Sequence, residues 1–183
     1  MTDLPTLAGP SVTLRPGQPD DVPALRAVLS QPSIARWWGE PDAPDEIAAK
    51  LLPGSYAVLL VIEVAGEMAG GIEYAEENEP QYRHAGIDIF VADRWQGQGV
   101  GTEAVGLLAR WLVQDRGHHR LTIDPAVTNL AAIACYTKVG FRPVGVMRGY
   151  ERGPDSSFHD GLLMDLLAAE LAPESSWSRR NER

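Results

Sequence analysis

A mixed α/β fold is predicted by three features of this chain. Short β-branched runs alternate with amphipathic segments of helical period, a glycine-rich turn joins one such run to the longest apolar helix, and 183 residues suit one hydrophobic core. The glycine turn is Arg94-Trp95-Gln96-Gly97-Gln98-Gly99-Val100-Gly101-Thr102, entered from Ile87-Asp88-Ile89-Phe90-Val91 and left through Val105-Gly106-Leu107-Leu108-Ala109-Arg110-Trp111-Leu112. Strand, glycine turn and helix in that order suit an anion. Glycine lets the backbone approach a ligand closely, while the first-turn N–H groups and the helix dipole face negative charge. Any tight strand-to-helix turn also needs glycine, so the turn alone leaves phosphate binding open.

The elements follow in order. Residues 1–10 and 173–183 are rich in proline, serine and charge and read as flexible ends around a single domain, 11–172. Val12-Thr13-Leu14-Arg15 reads as a first strand. Pro19-Asp20-Asp21 then caps a helix that puts Val22, Leu25, Val28 and Leu29 on one face. Short helices are predicted at 34–38 and 45–51. Strands at 56–64 and 68–74 flank Ala65-Gly66-Glu67, a hairpin turn. A strand at 86–91 enters the glycine turn, and the helix beyond it runs to about residue 116. A short strand at 121–124 ends at Pro125, residues 129–139 are helical, and 142–150 and 158–167 are two closing strands. There is no internal repeat and no interdomain linker.

Charge and composition exclude several classes. With 16 Lys and Arg against 25 Asp and Glu, the net charge of −9 repels nucleic acid and anionic membranes, neither of which is expected as a partner. It favours cationic amines, although acidity also serves solubility. No apolar run approaches the ~18 residues of a membrane span, and the N-terminus lacks a signal-peptide pattern, so a cytoplasmic location is expected. Cys135 is the only cysteine, which excludes an intrachain disulfide and a cysteine metal cluster. Among apolar neighbours on a helix it reads as a small hydrophobe. His118 and His119 follow the long helix and are expected to meet its C-terminal carbonyls. His84 and His159 are isolated, and no metal site is expected. Glu73, Glu76, Glu77 and Glu79 read as a solvated acidic loop, or as a rim that attracts amines.

A few positions are suited to chemistry. Alternation along the 86–91 strand puts Ile87, Ile89 and Val91 on one face and Asp88 and Phe90 on the other. A carboxylate in such a strand is paired, hydrated or functional, because burying an isolated charge is costly. Two readings therefore stand for Asp88: an ion pair on a wet sheet face, or a group that binds an amine and takes its proton. Asp124 ends the next strand, where open α/β sheets place ligands, and an aspartate before proline also serves turns. Tyr136 lies seven residues after Asn129, close to the same helical face. A core tyrosine and a helix cap are their plain structural roles, and core packing is that of Trp37 and Trp38.

The order Gln96-x-x-Gly99-x-Gly101 resembles the acyl-CoA pyrophosphate loop of the GNAT superfamily of N-acetyltransferases. About thirty residues on, Asn129-Leu130-Ala131-Ala132-Ile133-Ala134-Cys135-Tyr136-Thr137-Lys138-Val139-Gly140-Phe141 resembles that superfamily's next conserved block. The resemblance spans roughly residues 12–167. It implies a mixed central sheet of about six to seven strands flanked by helices, with the 86–91 and 121–124 strands parallel and splayed around the pantetheine arm. It also implies acetyl-CoA as cosubstrate, held by Phe90, Val91, Gln96, Gly97, Gln98, Gly99, Val100, Gly101, Thr102 and Asn129, with Tyr136 as the acid that protonates the departing thiolate.

Gly86-Ile87-Asp88, Asp124-Pro125 and Trp37-Trp38-Gly39 are similar to the aminoglycoside 6′-N-acetyltransferase branch, associated with antibiotic resistance. The similarity implies Asp88 as a catalytic residue and Asp124, Trp37 and Trp38 as binding residues for a cationic amine. That branch carries an acidic, aromatic-rich loop near residues 73–82; here the only loop aromatic is Tyr82, a departure that leaves the acceptor open. The expected activity is acetyl transfer to a primary amine of a cationic small molecule, foremost the 6′-amine of aminoglycosides. Siderophore-type lysine acylation, whose enzymes tend to carry histidine at the Asp88 position, is one alternative. Protein or peptide N-acetylation and a CoA-binding sensor without turnover are the others. A monomer and a homodimer both fit.

Overall fold

In the computed structural model, which describes residues 4–173, the strand alternation resolves into one sheet. Residues 1–3 and 174–183 of the expected flexible ends lie outside the described residues. The strands are β1 (Leu7–Ala8), β2 (Val12–Pro16), β3 (Ala57–Val64), β4 (Glu67–Glu77), β5 (His84–Val91), β6 (Arg120–Ile123), β7 (Arg142–Arg152) and β8 (Phe158–Leu167). The helices are α1 (Val22–Leu29), α2 (Pro32–Trp38), α3 (Pro44–Lys50), α4 (Val100–Gln114) and α5 (Leu130–Val139). The sheet order is β1-β2-β3-β4-β5-β6-β8-β7.

Every neighbouring pair is antiparallel except β5 and β6. Those two run parallel and pair only at Ala85–Leu121 and Gly86–Thr122. Beyond Gly86 the strands part, as the family resemblance implies. β5 stays zipped to β4 from Glu77–His84 to Gly70–Val91, so the opening lies on its β6 side alone.

Period-2 alternation divides the core into two layers. Leu60, Ile62, Ile72, Ile87 and Leu121 face α4 and α5, where Ala104, Leu108, Leu112 and Tyr136 meet them. Leu59, Val61 and Phe90 face Leu25, Leu29, Ile34 and Ile47 of α1–α3. Each fully buried leucine or isoleucine contributes roughly 1.5–3 kcal/mol relative to exposure. Asp88, two residues from Phe90, therefore points toward the α1–α3 side.

Three expectations need correction. The described residues hold eight strands rather than six or seven, because Leu7–Ala8 folds back on β2. The segment is tied down by Glu103 of α4, whose Oε1 accepts the Ser11 and Val12 amides, each at 2.8 Å, while Leu4 and Leu7 pack on the core. Second, Glu73 and Glu76 lie in a strand extended to Glu77, not in a solvated loop, because each finds a cation: Lys50 for Glu73, and Arg116 for Glu76. Third, the His118 side chain does not meet helix carbonyls. It is buried with Nε2 2.7 Å from Glu76 Oε1, while only its backbone amide caps α4 by donating to Leu112 O at 3.0 Å. Among the described residues, no helix is long and apolar enough to cross a membrane.

Candidate active site

The glycine turn folds as its residue types require. Gly97 and Gly99 take φ of +72° and +87°, the left-handed region where a Cβ is strained, and Gly99 directly precedes the first residue of α4. The first-turn amides of α4 are left without intrahelical partners and face outward at the positive end of the dipole. Gln96 holds the turn against β5, its Nε2 donating to Val91 O at 2.8 Å. Ser33 of α2 hydrogen-bonds Asp93 at the foot of the same turn. Val100 is buried in the core beneath α4, and the Gln98 amide donates to Arg94 O, so these two contribute no side chain to the cavity wall.

Beside the turn, the parting of β5 and β6 leaves backbone exposed. The Ala92 amide donates to Ala69 O at 2.8 Å on the β4 side. Alternation then turns the Phe90 and Asp88 amides toward β4 and those of Ile89 and Val91 toward the opening. The Phe90 ring is buried edge-on against Trp38, with centroids 5.3 Å apart.

These elements enclose an open cavity of about 660 Å³. At one end it is walled by Val91, Gln96, Gly97, Gly99, Gly101, Thr102 and Asn129, and at the other by Trp37, Trp38, Asp88, Asp124 and Glu151. Tyr136 and Cys135 reach it from α5. The fold thus brings all but two of the expected site residues to one cavity. Asn129 also caps α5, its Oδ1 accepting the Ala132 amide at 3.2 Å. Trp37 carries the Arg36 guanidinium 4.3 Å above its ring.

The acidic end has the more unusual electrostatics. Asp88 is exposed through the cavity mouth although protein atoms crowd around its carboxylate, and among the described residues no hydrogen bond reaches it. Burial, then Asp124, Glu73 and Glu151, push its pKa up to about 7, with Lys50 opposing. Glu73 sits directly across the β4–β5 ladder from Asp88. Its Oε1 lies 3.0 Å from Lys50 Nζ, which is also 2.9 Å from Asp42 Oδ2. Tyr136 is 6% exposed, and burial, then Cys135 and Asp88, hold its phenol well above its ordinary range, so it remains protonated at neutral pH. Burial likewise raises the Cys135 thiol, whose Sγ lies 3.4 Å from Thr102 Oγ1, which suits the packing role expected of it.

Sequence reasoning missed three residues here, Lys50, Tyr150 and Glu151, and read Glu73 only as part of a loop or rim. The Tyr150 hydroxyl donates to Asp124 from β7, and Glu151 lines the wall. Glu73 was visible as an acid at the end of a strand pattern, but its register against Asp88 was not. No local signal marks Lys50, Tyr150 or Glu151.

Comparison with known proteins adds to this geometry. The family model described as Acetyltransferase (GNAT) domain matches residues 11–142. The chain is 32% identical over 161 residues to aminoglycoside N(6')-acetyltransferase type 1 of Klebsiella pneumoniae, covering 78% of this chain and 79% of that protein. It is 27% identical over 140 residues to spermidine N(1)-acetyltransferase of Escherichia coli, covering 74% of this chain and 75% of that one. Among solved structures, spermidine N-acetyltransferase from Vibrio cholerae in complex with CoA and spermine shares the fold. Its TM-score is 0.77 at 21% identity, over 88% of this chain and 98% of that one.

Proposed function

The chain belongs to the GNAT acetyltransferase family and is an acetyl-CoA-dependent N-acetyltransferase; from that premise we propose that its acceptor is a primary amine on a small polycation, foremost the 6′-amine of an aminoglycoside. One observation carries the acceptor class. Asp88 and Asp124 open on one cavity together with Trp37 and Trp38, and Asp88 is a carboxyl whose pKa is lifted to about 7.

The cosubstrate supplies an acyl group activated as a thioester. The residues present fit it: the glycine-turn amides at the start of α4 suit an anion, and the Ile89 and Val91 amides line a slot between parted strands. An ammonium cannot attack a thioester, so the site must first bind a cation and then remove a proton. Asp124 holds an ammonium and fixes the acceptor's approach. Asp88 takes the proton from the reacting amine, directly or through one water, with a pKa matched to neutral pH. The Ile89 and Val91 amides, turned toward the opening, polarise the thioester oxygen in this reading. Tyr136, kept neutral by burial, delivers its proton to the departing sulfur and takes one back from the newly acylated nitrogen, while the proton held by Asp88 is released to solvent.

A linear polyamine is the second reading, favoured by the similarity to the spermidine enzyme. Thiol release from acetyl-CoA with kanamycin, tobramycin, spermidine, N6-hydroxylysine and a basic peptide separates the readings. Saturable turnover with the first two and a product acetylated at the 6′-amine supports the aminoglycoside assignment. Turnover with spermidine alone replaces it with the second reading, and turnover only with the peptide discards both.

A further inference from the structure

The pairing of β7 with β8 breaks beside the acidic end of the cavity. Between Met147–Gly161 and Glu151–His159, three residues of β7 (Arg148, Gly149 and Tyr150) face only Asp160 of β8. Gly149 adopts a φ of +55° in this bulge, and its amide donates to Asp160 Oδ1 at 2.7 Å. A bulge re-aims the side chain that follows it. Here that side chain is Tyr150, whose ring lies on Gly161 so closely that a Cβ there would sit 2.9 Å from Tyr150 Cδ1.

The same stretch of β8 holds the segment after β6. Ala126 bridges to Gly161, the Leu162 amide donates to Pro125 O at 2.8 Å, and the Val127 amide donates to Asp160 O at 3.0 Å. Bulge, Gly161 and residues 124–127 are therefore one hydrogen-bonded unit. Within it the Tyr150 hydroxyl donates to the Asp124 carboxylate, and Glu151 enters the cavity wall. A donated hydrogen bond occupies one oxygen of a carboxylate and fixes its plane. Asp88 receives no such bond from the described residues, and its lone pairs stay free for a proton.

We propose that Tyr150 is a specificity-determining positioning residue: by engaging one side of the Asp124 carboxylate it aims the other at the cavity, so that acceptors bearing a second ammonium are selected over monoamines. The inference rests on Asp124 being the anchor for the acceptor's charge. It assigns the two aspartates separate tasks, with Asp88 at the reacting amine and Asp124 at a second positive centre. Neither aspartate's own strand dictates that division. It comes from a bulge in a strand that is not adjacent to either.

The test is a double-mutant cycle on Tyr150→Phe and Asp124→Asn, read in steady-state kinetics with tobramycin, 1,4-diaminobutane and n-butylamine. Tobramycin affinity for each variant saturated with CoA is measured by calorimetry. Tyr150→Phe keeps the ring on Gly161 and removes only the donor. The expected result is a KM for tobramycin and the diamine raised about ten-fold. The KM for acetyl-CoA stays unchanged, kcat stays within about two-fold, and the preference over butylamine shrinks in proportion. In the Asp124→Asn background Tyr150→Phe has no further effect. Multiplicative single effects, or an acceptor KM that is unchanged or lower in Tyr150→Phe, overturn the proposal. If the unmodified enzyme acetylates none of the amines while tobramycin affinity still falls with Tyr150→Phe, the transfer reading fails and the positioning role stands. If tobramycin neither binds nor reacts, both fail.

Discussion

At Asp88, burial is the largest cause lifting the carboxyl, and the surrounding Asp124, Glu73 and Glu151 add to it. A base that titrates near 7 must be deprotonated to act. The kcat/KM for an amine acceptor is therefore expected to fall below about pH 7, with unit slope in a log plot, and to level off above it until another group titrates. Asp88→Asn is expected to lower kcat by at least about a hundred-fold while CoA affinity by calorimetry is retained. Turnover that survives would show that Asp88 is not the base. Tyr136 differs in kind: its buried phenol holds its proton throughout the working range. Tyr136→Phe is expected to lower kcat by roughly ten- to a hundred-fold, with the melting temperature nearly unchanged because the ring still packs near Phe141. An unaltered kcat would remove Tyr136 from the proton path.

Whole elements meet at Lys50 and at the glycine turn. Lys50 ends α3 and ties it to β4 through Glu73, and it alone among the groups acting on Asp88 stabilises the charged carboxylate. Replacing it by methionine withdraws that stabilisation, so the acidic limb of the kcat/KM profile is expected to move to higher pH. The variant also leaves Glu73, 8% exposed, without its cation, and a loss of stability accompanies the shift. A lower stability with an unmoved limb would mean that Lys50 only fastens α3. At the turn, Gly99 with a φ of +87° tolerates a side chain poorly. Gly99→Ala is expected to cost roughly 1–2 kcal/mol, a few degrees in melting temperature. It should raise the KM for acetyl-CoA more than that for the amine, and an equal rise in both would argue against a turn dedicated to the cosubstrate.

Across the whole molecule, a net charge of −9 accompanies a cavity lined by Asp88, Asp124 and Glu151. Such a field concentrates polycations at the entrance and weakens as salt shortens the Debye length from about 10 Å at 0.1 M to about 3 Å at 1 M. The kcat/KM for tobramycin is accordingly expected to fall steeply between these salt concentrations, while that for n-butylamine falls much less. Equal salt dependence would show that the acidity serves solubility and not acceptor capture.

Much of this architecture is local in origin and legible along the chain. Strand alternation placed Asp88 apart from Ile87, Ile89 and Val91, and the glycines at 97 and 99 marked a turn whose φ angles only they adopt comfortably. Asn129 announced the start of α5 by its capping chemistry. Period and turn type depend on neighbours within a few residues, so the sequence by itself determined the order of elements, the glycine turn and the face of β5 that carries Asp88. What only the tertiary structure decided is which distant charges meet. Lys50 reaches Glu73 across 23 positions of sequence, Glu76 reaches His118 across 42, and Tyr150 arrives at Asp124 through a bulge with no local signature beyond Gly149. Carboxylates take their character from such neighbours and from burial, neither of which a period of 2 or 3.6 encodes. The tuning of Asp88 and the meeting of Tyr150 with Asp124 are therefore set by the packed fold.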